Sequence, residues 1–447
     1  MRQASQAKVE NIYQLEGRVP IGKAIPFGLQ HVLAMFVSNV APIILVASVA
    51  LYNGESFTAV EVARLIQNAM MIAGIGTLIQ LYPIWKVGSG LPVVMGVSFT
   101  FVSAMMVVAA RDYGLMIGAI IVGGCIEGVL GLTVKYWRRF VAPIVSACVV
   151  TTIGFSLLGV GINSYGASDA YEFGSWQNLL VGTITLVSCL VFQALAKGFW
   201  KQLYVLFGLA VGYVAAIFFG MVDFSSISST VEELGIVSLP MLLHYTPKFQ
   251  LGAIVSVTLV FFVSAAETIG DTTAVCTGGL GRDITEKELS GSLCCDGFIS
   301  AVSGGLFGCT PITSFSQNVG LVAMTKVVNR IALASGAVFL ILCGLIPKLG
   351  ALISIMPQAV LGGAAVMMFS SIVVSGIQLI TKEKMTPRHL TIVSVALGVG
   401  YGMGANSGIL AQAPQALQLI CGESGIVPAA FVAILLNVLL PKNDMAE

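Results

Sequence analysis

Two carboxylates lie four residues apart after a long apolar stretch. Glu267 follows several turns of mostly apolar residues and Asp271 comes one helical turn later, so a helix would carry both side chains on one face. A carboxylate held inside the bilayer costs about 2.5–3.5 kcal/mol on insertion scales, so such residues are functional candidates by default. Asp296, in the next apolar stretch, is a candidate for the same reason. Asp271 and Asp296 lie near predicted helix ends, where they could instead cap the backbone or pair with hydroxyl groups.

Two further ionisable residues lie in apolar stretches. His31 follows Gln30 near the start of the chain and is either a functional group or a core histidine with satisfied hydrogen bonds. Glu127 lies between Gly124 and Gly128 in a separate stretch, and nothing elsewhere in the sequence matches it. We assign it no functional role and favour a hydrogen bond between packed helices.

Two apolar segments are interrupted by Gly and Pro. One opens with residues 88–92 and the other with residues 308–311, and each has a polar residue six positions after its proline, Ser98 or Gln317. A half-helix that starts in mid-membrane exposes N–H groups, which must line a cavity or meet a ligand. The alternative is that Gly and Pro only kink two helices for packing.

These polar groups suit a planar ligand that carries both donors and acceptors. Ionised Glu267 accepts two N–H bonds, and the Gln317 amide offers one donor and one acceptor side by side. The rim of an oxopurine presents adjacent N–H and C=O groups that match both residues. A mineral anion does not match, because a carboxylate beside an anion in low dielectric is unfavourable.

The composition is that of a polytopic membrane protein. The chain has 447 residues, 57% of them apolar, and 22 Lys and Arg with 21 Asp and Glu make 43 charged residues. A soluble domain of this length would carry about 112. The net charge of +1 excludes a nucleic-acid binder. The nine cysteines mostly lie in apolar runs without metal-ligand spacing, so we expect no disulfide framework, no metal and no cofactor.

The apolar runs predict about fourteen segments. They lie near residues 25–51, 65–82, 91–110, 114–134, 141–162, 178–196, 203–222, 250–274, 289–308, 311–323, 331–347, 355–380, 389–404 and 426–440. An even number places both termini on one side of the membrane. Alternating loops put 18 of the 22 basic residues on that side, which predicts cytoplasmic termini. The interrupted segments are seven apart, an odd number, which indicates an inverted repeat with a binding site at the midplane.

The polar residues occur in an order that resembles the nucleobase–ascorbate transporter family. The family signature, Gln/Glu/Pro-Asn-x-Gly-x4-Thr-Arg/Lys/Gly, fits the string from Gln317 to Lys326. The likeness extends over nearly the whole chain. It includes Gln30-His31, Ser98-Phe99, Glu267 to Asp271, Asp296-Gly297 and Pro357 to Gly363.

The resemblance implies an all-α polytopic membrane protein of fourteen transmembrane segments in two inverted repeats of seven (7+7), with half-helices in segments 3 and 10. Segments 1–4 and 8–11 would form a substrate-carrying core domain, and the others a gate domain. The implied boundaries are a cytoplasmic tail at 1–24, core at 25–134 and 250–350, gate at 135–249 and 351–440, and a second tail at 441–447. An elevator-like motion, symport with protons and a homodimer formed through the gate domains are also implied.

The resemblance further implies roles for individual residues. Glu267 and Gln317 would bind the base, Phe99 would stack on it, Ser98 would shape the pocket, Asn318 and Asp296 would support it, and His31 would order the first helix against it. A proton would neutralise the group formed by Glu267, Asp271 and Asp296 in the state that crosses the membrane. The proton is assigned to the group and not to one of its three carboxylates.

Substrate preference follows from positions where branches of the family differ. The uracil-selective branch usually has Glu at the position of Gln317 and His at that of Asp271, so this chain resembles the purine-selective branch. Ser98 stands where some xanthine-selective members have a larger Asn, which would leave room for the additional oxygen of uric acid. Lys326 departs from the Gly or Arg of many bacterial relatives and leaves fine selectivity open.

The expected function is therefore import of xanthine, uric acid or both by a proton symporter in the inner cell membrane, and not an enzymatic reaction. A uracil or other nucleobase permease of the same family is one alternative, and an anion transporter of the same fold is another. A channel would show continuous polar stripes on several helices. A membrane-embedded enzyme would need a metal-ligand pair or a nucleophile beside a base, and the three histidines are far apart in sequence.

Overall fold

The computed structural model describes residues 8–137, 142–225, 232–235, 237–414 and 425–441, together with residues 418 and 421. The start of the predicted segment 141–162 lies outside the described residues, as do most of the C-terminal tail and the first seven residues. Four basic residues used for the orientation also lie outside them: Arg2, Arg138, Arg139 and Lys442.

The described chain is mostly helical. Its helices are α1 (Ile21–Ala47), α2 (Ala59–Leu81), α3 (Val102–Ala109), α4 (Tyr113–Leu132), α5 (Val134–Trp137), α6 (Pro143–Tyr165), α7 (Trp176–Leu195), α8 (Tyr204–Phe218), α9 (Leu251–Ala274), α10 (Glu286–Gly305), α11 (Ser316–Thr325), α12 (Arg330–Gly344), α13 (Pro347–Ser354), α14 (Gln358–Lys382), α15 (Pro387–Ala405) and α16 (Ile426–Leu439). The strands are β1 (Leu51–Tyr52), β2 (Glu55–Ser56), β3 (Met95–Val97) and β4 (Ile312–Ser314). Tight helical turns cover Val9–Tyr13, Phe99–Phe101, Gly198–Leu203 and Ser407–Leu410, and a wide turn, Val275–Leu280, extends α9.

Several helices are long and apolar enough to cross a membrane. Within the described residues there are seven, or eight if α12 and α13, which meet at a 77° bend, form one span. Shorter apolar helices include α8 and α16. Helices predominate because lipid offers no partner for backbone N–H and C=O groups, so each segment must satisfy its own. The chain is a multi-pass membrane protein.

The two interrupted segments each contain a short strand that the sequence did not predict. β3 and β4 pair in antiparallel fashion, with Gly96 opposite Thr313, and all six of their residues are buried. A helix follows each strand, α3 after the Phe99–Phe101 turn and α11 after Phe315. Extended backbone at membrane depth is tolerated here because it is enclosed by protein.

The helices pack in two groups. In the first, α4 lies against α10 and α9, α2 against α12, and α1 against α12, around the strand pair. In the second, α6 lies against α14, α7 against α8, and α15 against α16. Contacts between the groups include those of α9 with α6 and α16.

Residues 8–20 form an ordered cap on the first group. The side-chain amide of buried Asn329, just before α12, donates to the backbone carbonyls of Asn11 (3.0 Å), Gln14 (3.1 Å) and Gly17 (3.0 Å). Ile12 is 1% exposed and packs with apolar residues of the first group. This part of the predicted N-terminal tail is therefore folded against the helices.

Replacing Asn329 with Ala should loosen this cap. The substitution removes the donor for three carbonyls in a buried position, at a cost of roughly 1–3 kcal/mol. We expect a lower apparent melting temperature of the purified protein and faster trypsin cleavage after Arg18. Asn406→Ala is the control, because the Asn406 amide donates a hydrogen bond to Gly402 at an exposed site. Equal loss of stability in both variants would contradict the prediction.

Candidate functional site

Glu267 and Asp271 lie on the same face of α9, as the helical period predicted. The hydroxyl of Thr100, in the turn after β3, donates to Glu267 at 2.6 Å. The hydroxyl of Ser316, the first residue of α11, lies 2.6 Å from an Asp271 oxygen and 3.4 Å from a Glu267 oxygen. Residues that follow both strands therefore meet the two carboxylates of α9.

Asp296 connects α9, α10 and β4. Its carboxylate accepts the Thr268 hydroxyl at 2.6 Å, the Ser314 backbone N–H at 2.9 Å and the Ser314 hydroxyl at 3.1 Å. It is fully buried in the middle of α10, so its predicted position near a helix end is wrong. The carboxylate holds a strand and a neighbouring helix rather than a helix terminus.

Side chains from α1 and α2 complete the hydrogen bonding of β3. The backbone N–H of Val97 donates to Asn39 at 2.7 Å, and that of Met95 donates to Thr77 at 2.9 Å. The N–H of Ser98 reaches the carbonyl of Pro311 across the strand pair at 3.2 Å. The polar groups of β3 are thus satisfied by protein, which fixes the backbone that leads into the site.

Ser98 and Phe99 lie at the end of β3 and are buried. The Phe99 ring meets that of Phe369 on α14 edge to face, with 5.5 Å between the ring centroids and an angle of 79°. Phe99 therefore lies where the two groups of helices meet.

Gln317 and Asn318 are the second and third residues of α11. The side-chain oxygen of Gln317 is buried and has no hydrogen-bond partner among the described residues, and the same holds for that of Asn318. The Asn318 amide donates to the backbone carbonyl of His31 at 3.4 Å, which joins α11 to α1. His31 is buried, and its ring Nδ1 has no partner in the described part of the chain. Several polar atoms here remain free to bind a ligand.

An apolar cavity of about 560 Å³ lies beside Glu267. It is bounded by α9 on one side and by α6, α15 and α16 on the other, where its walls include Val149, Met403 and Phe431. Glu267 is the acidic residue in its lining, whereas Gln317 is not part of that lining. Gln317 is connected to the cavity through its neighbour Ser316, which bonds to Glu267.

Sequence reasoning missed the residues that hold the acidic side chains. Thr100 and Ser316 bind Glu267, and Thr268 binds Asp296. The indication that the sequence offered was their position next to predicted site residues. Thr100 directly follows Ser98-Phe99, and Ser316 directly precedes Gln317. Hydroxyl residues are common in membrane helices, so adjacency alone did not select them.

Glu127 and Lys326, to which the sequence assigned no role in binding, differ in their hydrogen bonding. The helix-packing hydrogen bond predicted for Glu127 is wrong, since neither carboxylate oxygen has a partner among the described residues. Lys326 ends α11 in a left-handed conformation with φ at 59°, and its ammonium donates to the carbonyl of Gly278.

No cluster of His, Cys, Asp or Glu in the described residues could hold a metal ion. All nine cysteines are free thiols, and most of them are buried. The cysteines therefore act as small packing residues, as their positions in apolar runs indicated.

Comparison with known proteins identifies the family. The protein-family model described as Permease family (Xan_ur_permease) matches residues 22–407 of the sequence. The chain belongs to this permease family. The xanthine permease XanQ of Escherichia coli is 31% identical, in an alignment that covers all of this chain and 97% of the relative. The uric acid permease PucJ of Bacillus subtilis is 32% identical over 95% of this chain and 94% of its own.

This membership confirms the family predicted from the ordered motifs. The protein is a membrane transporter and not an enzyme.

Solved structures show the fold that this permease shares with other transporters. The transmembrane domain of the cyanobacterium bicarbonate transporter BicA superposes with a TM-score of 0.55 at 15% identity, covering 92% of this chain and 97% of that domain. The structure of SLC26A9 superposes with a TM-score of 0.61 at 12% identity, covering 94% of this chain and 66% of that one. At such identities the likeness concerns the fold alone.

Substitutions at Asp296 should separate its hydrogen bonding from its charge. Asp296→Ala leaves the Ser314 N–H and the Thr268 hydroxyl without an acceptor, at roughly 2–4 kcal/mol. Asp296→Asn keeps one oxygen for both donors, and the Ser314 hydroxyl can turn to accept from the new amide, so the loss should stay near 1 kcal/mol. Thermal unfolding of the purified variants measures both losses. Equal destabilisation by Ala and Asn would show that the hydrogen bonds do not hold the strand.

Proposed function

We propose that this permease imports an oxidised purine base, xanthine or uric acid, as a secondary active transporter coupled to protons. The observation that carries the proposal is the Glu267 carboxylate, which the hydroxyls of Thr100 and Ser316 hold beside the first turn of α11. A carboxylate fixed in this way can accept N–H groups from a heterocycle, and Gln317 next to Ser316 retains an unpartnered carbonyl oxygen.

The remaining roles follow from position. Phe99 would stack on the base at the border between the helix groups, and Ser98 would shape the pocket at the end of β3. Asn318 would support Gln317 from the same helical turn. His31 would order α1 against that turn, since its backbone carbonyl accepts a hydrogen bond from the Asn318 amide. Asp296 would support the site by fixing β4.

The acidic side chains favour a base over an anion. The bicarbonate transporter BicA shares the fold, yet Glu267 and Asp271 place two carboxylates where a bound anion would be repelled. The named activities of XanQ and PucJ, which align over nearly the whole chain, also favour purines. Gln317 and Asp271, where the uracil-selective branch has Glu and His, favour xanthine or uric acid over uracil. A uracil or other nucleobase permease remains the second candidate.

The packing supports the proposal of fourteen segments in two inverted repeats. Segments seven positions apart correspond to each other, for example α2 to α10 and α4 to α12. The packed pair α2–α12 then has the packed pair α10–α4 as its equivalent, and α7–α8 has α15–α16. The pairs α6–α14 and β3–β4 each join a segment to its own equivalent. The helices α2 and α10, which are seven segments apart, also both begin with a Thr–Glu capping box, at Thr58 and Thr285. In this arrangement α3 and α11 are the half-helices of segments 3 and 10.

The two helix groups suggest how substrate crosses the membrane. We take residues 25–134 and 250–350 as a mobile core domain, and residues 135–249 and 351–440 as a gate domain that also forms a homodimer. The cavity beside Glu267 lies between these domains, so an elevator-like movement of the core would carry the site past the gate. Protonation within the Glu267, Asp271 and Asp296 group would neutralise the moving domain. The protein would lie in the inner cell membrane, and the distribution of Lys and Arg favours cytoplasmic termini.

Binding measurements on purified protein test the substrate and the role of Glu267 together. Xanthine or uric acid should bind more tightly than guanine, hypoxanthine, uracil and bicarbonate. Glu267→Gln should weaken that binding by about 100-fold, because hydrogen bonds to a charged acceptor contribute about 1.5–3 kcal/mol each. Exposed Glu55→Gln is the control and should bind like the wild type. Competition by bicarbonate, or unchanged binding in Glu267→Gln, would refute the proposal.

Proton coupling is tested in intact cells. A protonophore should abolish accumulation of labelled xanthine, because the substrate gradient would lose its driving force. The same compound should leave xanthine binding to purified protein unchanged. Accumulation that persists after the proton gradient collapses would remove symport from the proposal while leaving the substrate assignment in place.

A further inference from the structure

Glu127 lies in the middle of α4, where glycines bring three helices close together. A Cβ at Gly124 would lie 2.6 Å from the carbonyl oxygen of Gly297 on α10. Gly123, one turn before Glu127, packs against Phe261 on α9, and a Cβ there would lie 2.4 Å from its ring. The Glu127 side chain is fully buried at this junction (0% exposed).

The surroundings of Glu127 offer no compensation for a negative charge. Neither carboxylate oxygen has a hydrogen-bond partner among the described residues. The ionisable groups that act on it electrostatically are also acidic, Asp296 from α10 and Glu267 from α9. An unpaired carboxylate in such a place costs several kcal/mol, whereas the protonated acid does not carry this charge penalty.

A structural role does not account for this glutamate. A buried polar group that forms no hydrogen bond destabilises the packing, and an apolar side chain of similar volume would fill the space at lower cost. The hydroxyl of Ser264 on α9 is likewise buried without a partner in the described chain.

We propose that Glu127 is a proton-binding site of the core domain, separate from the residues that hold the purine, and that it exchanges its proton with the Asp296–Glu267 group during each transport cycle. The exchange step rests on the proposed transport function, whereas proton binding by Glu127 does not. The step is a transfer of one proton between carboxyl oxygens, directly or through hydroxyl groups, and no other bond changes.

Infrared spectroscopy of the purified full-length protein tests whether Glu127 holds a proton. The carbonyl stretch of a protonated carboxylic acid should be present at neutral pH and should lose one component in Glu127→Gln. Glu127→Asp should retain that component at a shifted frequency, which guards against a folding defect in the Gln variant. Glu172→Gln, at an exposed position, should leave the band unchanged. A band that is identical in wild type and Glu127→Gln would show an ionised Glu127 and overturn the proposal.

The accumulation ratio in proteoliposomes tests the exchange step. With an inward gradient of one pH unit, each coupled proton multiplies the equilibrium ratio of internal to external xanthine by about ten. Glu127→Gln should lower that ratio by about tenfold, and Glu172→Gln should keep the wild-type ratio. An unchanged ratio in Glu127→Gln would overturn the exchange. If the wild type does not bind xanthine, the proposed function fails, and the infrared result alone decides whether Glu127 is a proton site.

Discussion

The constraint on which this structure depends is that every backbone polar group inside the bilayer needs a partner within the protein. β3 and β4 interrupt the helices at membrane depth and meet that constraint first by pairing with each other. Asn39 from α1, Thr77 from α2 and Asp296 from α10 bind N–H groups of the two strands. The strand pair therefore ties three helices together, and side chains that follow it are held on a fixed frame.

Close packing around the strand backbone is the second requirement at this crossing. A Cβ at Gly96 would lie 2.7 Å from Met35 Cε and 2.8 Å from the Phe315 ring, so a larger residue would have to displace these side chains where β3 passes α1. The junction of α4 with α10 uses the same principle, because small residues let membrane helices pack through van der Waals contact. Such contacts leave little room for the helices around the site to shift independently.

The core of this permease, whose fold is shared with anion transporters, carries several acidic side chains. Glu267, Asp271, Asp296 and Glu127 converge from three adjacent helices. In a low-dielectric interior this arrangement repels an anion and favours bound protons or a ligand that donates hydrogen bonds. The common fold, recognised at 12% and 15% identity, fixes how the helices are arranged. A fold does not by itself determine function, so what this permease binds depends on the residues at its site.

Residue types and their spacing along the chain were enough to predict a polytopic membrane protein, its family, and the shared helical face of Glu267 and Asp271. Those properties depend on composition, on motif order and on the helical period, all of which are one-dimensional. The short strands, the roles of Thr100 and Ser316, and the isolation of Glu127 were decided only by the tertiary structure. Polar residues of these types can form hydrogen bonds with many neighbours, and only the folded chain determines which donor or acceptor each one faces.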